Sequence, residues 1–318
     1  MSGGWPRFLL GRLIRVVAVC FILVTVVFVA VRLVPGDPAQ KAVGFLDGTR
    51  KEKDAAIERA RSDLNLDQSL PRQYVQSLVS AITFDYGVSF RTQESVSRVI
   101  LDRLGSTLRL ALGGTMVVIG IAVPLGLIVG LSTNGRRKGL EVGFSGVTGF
   151  VGSVPPYVMA TLLIYAFVNS LPWFPRIPEG SVADDVLPSL AVGLGPALLL
   201  ARIIRLETLS VLGQDYARTA RSKWLPSGRV VVRDVLPNVL APALTIGGVV
   251  FASLIGGAVV VEGIFNRNGL GSKLVESILI GDFPVVQAVA LLLGVVVVVV
   301  NALVDVALAV VDPRRLVT

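Results

Sequence analysis

The chain has 318 residues, 53% of them hydrophobic and only 16% charged. A soluble domain carries about 45–50% apolar and about 25% charged residues, so this composition is that of an integral membrane protein, and the net charge of +8 reads as cationic residues gathered on one membrane face rather than as a nucleic-acid site. The absence of histidine and the single cysteine, Cys20, exclude a Ser-His-Asp triad, a histidine zinc site, a histidine proton relay, an internal disulfide and a cysteine metal cluster.

A helix needs about 20 apolar residues to cross the hydrocarbon core. The first such run is Leu13–Val34. It exceeds the roughly 7–15 residues of a signal-peptide core and lacks a small-residue cleavage site, so it reads as a retained span. Pro35-Gly36-Asp37-Pro38 then stops the helix and turns the chain. The segment Pro35–Thr107 is too long for a plain connector. It predicts a helix over Glu52–Leu64, rich in good helix formers. A second helix is predicted after Ser69-Leu70-Pro71, an N-cap followed by proline in the first turn, with Tyr74, Leu78 and Ile82 as its apolar stripe. A third stripe, Val96, Ile100 and Leu104, suits a piece lying along the membrane surface. This segment is either a passive cap or a docking surface for an external partner.

Further spans are predicted near Leu108–Leu131, Ser145–Asn169, Val186–Ile204, Val239–Val261 and Pro284–Val311. Pro124 is a candidate kink in the second, and Gly126 with Gly130 are spaced for close helix packing there. In the last, Asn301 and Asp305 lie one turn apart on one face, with two readings: helix packing, or a part in transport or gating. Glu262, at the end of the fifth span, either faces a translocation path as an outer-gate residue or caps the helix. Lysine and arginine concentrate in alternate short loops, which predicts both termini in the cytoplasm.

The stretch between the fourth and fifth spans carries the most information. It reads Asp215-Tyr216-Ala217-Arg218-Thr219-Ala220-Arg221-Ser222-Lys223-Trp224-Leu225-Pro226. Tyr216, Ala217 and Ala220 recur at helical spacing, with basic residues between them. A long, charged, helix-patterned loop at a membrane face is built to touch another protein. No Gly-Lys dipeptide occurs, so the chain has no Walker A phosphate cradle.

This loop resembles the "EAA" coupling loop of ABC importer permeases, in the peptide-import version Asp-Tyr-x-Arg-Thr-Ala-Arg-Ala-Lys-Gly. Other pieces are similar to the dipeptide/oligopeptide permease family in order and spacing: Arg32-Leu33-Val34-Pro35-Gly36-Asp37-Pro38, Asp85-Tyr86-Gly87-Val88-Ser89, Ser106-Thr107, Arg202 and Arg205, Asp282-Phe283-Pro284, and Asp312-Pro313-Arg314. Trp224 stands where the family has glycine, leaving Pro226 and Gly228 as candidates for the helix break; Pro237 replaces a basic residue.

The resemblance implies an all-α membrane protein of six transmembrane helices. It divides as an N-terminal helix over 1–35, a helical extracytoplasmic insertion over 36–105, and a type I permease core over 106–318, with the cytoplasmic coupling loop at about 207–238 between helices 4 and 5. It implies a non-enzymatic permease subunit of the cytoplasmic membrane, importing di- or oligopeptides by alternating access. Its partners would be a second homologous permease, two ATPase subunits holding ATP and Mg, an extracytoplasmic substrate-binding protein, and membrane lipid, but no nucleic acid. Asp215, Tyr216, Arg218, Thr219, Ala220, Arg221, Lys223 and Trp224 would contact the ATPase; no metal or cofactor would sit in this chain. Nickel or glutathione import is the nearest alternative, and an ATP-independent secondary transporter is the rival from another class.

Overall fold

The computed structural model describes residues 4–33, 39–40, 49–63, 67–133, 138–175, 181–215 and 227–311. Helices dominate: α1 (Gly4–Leu33), α2 (Arg50–Asp63), α3 (Leu70–Thr83), α4 (Val96–Thr133), α5 (Lys138–Gly152), α6 (Pro156–Ile164, running into a π turn Tyr165–Ser170), α7 (Ala183–Gly213), α8 (Leu236–Ile264), α9 (Leu270–Ile280) and α10 (Phe283–Val311). No β-strand occurs among the described residues. The contacts divide the chain into two compact units, Met1–Leu108 with Asn266–Val299, and Arg109–Phe265 with Val300–Thr318.

In the first unit, α2 and α3 occupy the predicted positions. Thr49 opens α2: its N–H and hydroxyl both donate to the Glu52 carboxylate, at 2.7 and 2.8 Å, which holds that carboxyl below its ordinary pKa. Ser69 does precede α3, with Pro71 in the first turn, but its hydroxyl caps nothing. The Ser69 carbonyl accepts from Arg72 and Gln73 N–H instead, at 2.9 and 3.1 Å. Phe84 closes α3 in the left-handed region, at φ 59°. The expected surface-lying stripe is different in kind: Val96 and Ile100 are buried, in the first turns of a helix that continues unbroken to Thr133. Between them the loop 84–95 is pinned by Asp282, a buried carboxylate. It accepts from the Ser89 hydroxyl at 2.5 Å and from Phe90 N–H at 3.2 Å. A second tie joins Leu270 N–H to Thr107 Oγ1 at 2.8 Å.

The second unit holds the core, in which buried Leu110, Val118, Ile204, Leu254 and Val261 meet. Glycines on α4 let α7 approach closely. A Cβ on Gly126 would lie 2.7 Å from the Ala201 carbonyl oxygen and the Ile204 side chain, and one on Gly130 2.7 Å from Thr208. The same holds for Gly113 against Ser189, while Arg109 pairs with Asp185 at 3.8 Å. The predicted role of Gly126 and Gly130 in close packing is met. Pro124, exposed, does not interrupt α4.

Among the described residues, five helices are long and apolar enough to cross a membrane: α1, α4, α7, α8 and α10. The predicted span Ser145–Asn169 is not one straight helix. It is the pair α5 and α6, bent by 92° at the break 153–155. Pro155 and Pro156 cause the break, since neither has an N–H to donate and each ring clashes with a carbonyl one turn back. The contacts between α4 and α7 decide whether this pair crosses or turns back. Arg109–Asp185, Gly113–Ser189, Gly126–Ile204 and Gly130–Thr208 advance together along both helices, so α4 and α7 run parallel. Two parallel spans need an odd number of crossings between them, and α5 with α6 supplies the one. Counted as one crossing, the pair brings the candidate spans among the described residues to six, the number expected from the sequence.

Candidate coupling site

Of the residues expected to contact an ATPase, Asp215 is described, exposed just beyond the end of α7. Tyr216, Arg218, Thr219, Ala220, Arg221, Lys223 and Trp224 lie outside the described residues. The roots of the loop are nevertheless defined, all within the second unit. On the entering side, Val211 and Leu212 are buried in the core cluster, and Gln214 leaves the helix in extended conformation, at φ −74°, ψ 151°. On the returning side, Val230, Val235 and Val239 enter that same cluster. The loop is thus a closed excursion from one packed core.

The return is made through a short helical turn, Ser227–Val230, and a π turn, Val231–Val235, where the Leu236 N–H bonds the Val231 carbonyl five residues back. Pro237 explains the widening, because it offers no N–H to close an ordinary turn at that point. Gly228 lies inside the helical turn, and Pro226, the other candidate for the break, lies outside the described residues. Arg202, Arg229 and Arg233 are exposed on the described flanks, giving this end of the unit a positive surface.

Arg205 behaves differently. Its side chain is 6% exposed, and it donates to Glu141 in the first turn of α5. Among the described residues its Nε has no hydrogen-bond partner. The pair fastens α5 to α7 near the loop's entry. The sequence marked Arg205, with Arg202, as a family-like residue leading into the loop and did not single out Glu141. The signal that points to it is an acid in the first turn of a helix, where the dipole favours negative charge.

The intramembrane candidates separate. Asn301 lies against Gly248 of α8, whose absent side chain makes room for it: a Cβ there would collide with Asn301 Oδ1. That is a packing contact. Asp305, one turn later on α10, is half-buried. Glu262 is completely buried near the end of α8, so it faces no open path in this conformation. Among the described residues, no three His, Cys, Asp or Glu side chains cluster in a way that would hold a metal ion.

Residues 122–317 match the family described as the binding-protein-dependent transport system inner membrane component, and residues 6–111 match its N-terminal companion. The chain is 37% identical over 315 residues to a protein of Brucella suis biovar 1 (strain 1330) that carries the name of a peptide transport system permease, covering 96% of this chain and 98% of that one. It is 34% identical over 310 residues to the glutathione transport system permease protein GsiC of Pectobacterium atrosepticum and of Escherichia coli (strain K12), with 96% of this chain and 98% of each relative covered.

Proposed function

The chain belongs to the family of binding-protein-dependent transport system inner membrane components, and from that premise we propose that it is the permease subunit of an ATP-driven importer moving di- or oligopeptides across the cytoplasmic membrane. The observation that carries this reading is the likeness to a peptide-transport permease over 96% of the chain. Glutathione, itself a tripeptide, is the second substrate reading, favoured by the GsiC relatives.

In this reading both termini lie in the cytoplasm, since six crossings return the chain to its starting side and the short basic loops mark that side. The chain divides at 1–35, 36–105 and 106–318, with the coupling loop at about 207–238. ATP and Mg are held by two separate ATPase subunits, on which Asp215, Tyr216, Arg218, Thr219, Ala220, Arg221, Lys223 and Trp224 dock. A second permease completes the path, and a substrate-binding protein delivers the peptide from outside. ATP binding favours the outward-open state only to the extent that it binds that state more tightly. The closed-excursion geometry of the loop supports the role: a push on it reaches α7 and α8 through one shared core. Asn301 holds α10 against α8, the packing one of the two readings for it and Asp305, and Glu262, fully buried near the end of α8, fits the helix-end reading better than an open gate.

Two experiments test this. Purification in mild detergent is expected to recover two ATPases, a second six-span permease and a binding protein; recovery of the chain alone, where such complexes survive, favours the secondary transporter. Replacing Ala220, the small residue amid larger neighbours, by Trp is expected to abolish peptide uptake while the protein still inserts. Unchanged uptake in Ala220→Trp sinks the docking assignment.

A further inference from the structure

Helix α3 is fastened to the first span from its middle, around Thr25, to near its end, at Arg32. The Tyr74 ring sits edge-on to Phe28 and Phe21, with centroids 5.2 and 6.3 Å away, and its hydroxyl lies 2.7 Å from Thr25 Oγ1. Beside it, Gln73 accepts from Arg32, whose guanidinium folds back over the Phe28 ring at 3.4 Å. The charges that bracket this region of α1 are Arg15 and Arg32, and residues 16–31 between them carry none. At about 1.5 Å per residue that stretch rises about 24 Å, most of a hydrocarbon core about 30 Å thick. Thr25 lies just past its middle. From Thr25 to Leu33 the helix rises about 12 Å, farther than a tyrosine side chain reaches. A helix resting in water beyond Leu33 is therefore too high to place Tyr74 where it is.

The face of α3 turned away from α1 has two sectors. Val75, Val79 and Ile82 recur at i, i+4 and i+7 and are 57%, 51% and 84% exposed. Arg72, Gln76 and Thr83 form the adjoining exposed strip. An apolar stripe beside a polar one, on a helix held several ångströms below the end of a span, is the pattern of a helix lying in the boundary between headgroups and acyl chains. Water against Val75, Val79 and Ile82 would instead leave three large side chains unburied at membrane depth.

We propose that α3 is immersed in the lipid leaflet at the C-terminal end of α1, with Val75, Val79 and Ile82 among the acyl chains and Arg72 and Gln76 at the headgroups. The occupant of this face is bilayer lipid. The inference rests on α1 crossing the membrane and is independent of what the permease carries.

Spin-label accessibility tests it. In the full chain with Cys20→Ser, a nitroxide is placed at Val79→Cys, at Ile82→Cys and at Gln76→Cys, and the protein is reconstituted in vesicles of phosphatidylethanolamine and phosphatidylglycerol. Oxygen, which concentrates in acyl chains, should relax the labels at 79 and 82 several-fold more, relative to a water-soluble nickel chelate, than the label at 76. Labels at 79 and 82 as open to nickel as that at 76 would mean water and overturn the proposal. Labels at both positions shielded from oxygen and nickel alike would mean a protein partner covers the face, and would overturn it equally. Both positions are exposed, so either variant alone suffices if the other fails to assemble.

Discussion

Arg205 and Glu141 are unequal partners, and their inequality is measurable. Arg205 is almost fully enclosed, whereas the Glu141 side chain is 38% exposed. Removing one member of a buried pair strands the other at about 3–5 kcal/mol, less where solvent reaches it. Glu141→Ala is therefore expected to cost about 2 kcal/mol, after discounting for that exposure. Arg205→Met, which removes the buried charge itself, should cost under about 1 kcal/mol. Thermal unfolding in detergent checks the order; equal losses would show that the ion pair is not what Arg205 contributes. Glycine positions give a second contrast. Gly126→Leu drives a side chain against the Ala201 carbonyl and should destabilise by about 1–3 kcal/mol. Gly120→Leu, on the same helix with nothing within 4 Å, should be near neutral. The spacing of Gly126 and Gly130 made their role legible in the sequence. Glu141 was not, because its partner lies 64 residues away and no local pattern joins them.

The loop 84–95 behaves as an element although it has no regular structure. Gly87, at φ 74°, lets the chain turn, the bridge between Val88 and Ser95 closes it, and Asp282 holds it. Burial beside Phe84 pushes the Tyr86 phenol from 10.0 up to about 12. The unfolded chain then loses its phenolic proton first. The stability contributed by neutral Tyr86 is complete below about pH 10 and is lost as pH rises through about 12. A melting temperature that falls more steeply in that window for the wild type than for Tyr86→Phe is the expected result; parallel curves would refute it. Elements were legible unevenly. Helices α2 and α3 follow directly from composition and from Ser69-Leu70-Pro71. The tandem Pro155-Pro156 that bends the third crossing stood in plain view, but an apolar run of the right length hid it, because hydropathy measures length and not direction.

At the scale of the molecule, the parallel course of α4 and α7 requires that the loops before α5 and after α6 face opposite sides of the membrane. Single cysteines at Gly139 and Val182 should react with an impermeant thiol reagent from opposite sides of a sealed vesicle. Reaction from one side alone would make α5 and α6 a re-entrant pair. Six crossings were readable from apolar runs because a bilayer demands a minimum length. The docking of Ser89 on Asp282 was not, because the partners are 193 residues apart and each alone is an ordinary polar residue in a loop. The rooting of both ends of the basic loop in one core has a mechanical consequence. Val211, Leu212, Val230, Val235 and Val239 act as a clamp, and close-packed interiors yield little under load. If the loop couples to an ATPase as proposed, a displacement of it turns a stiff block rather than stretching a tether. On the proposed coupling role, the tightness of this clamp sets how much of a movement of the loop reaches the membrane helices.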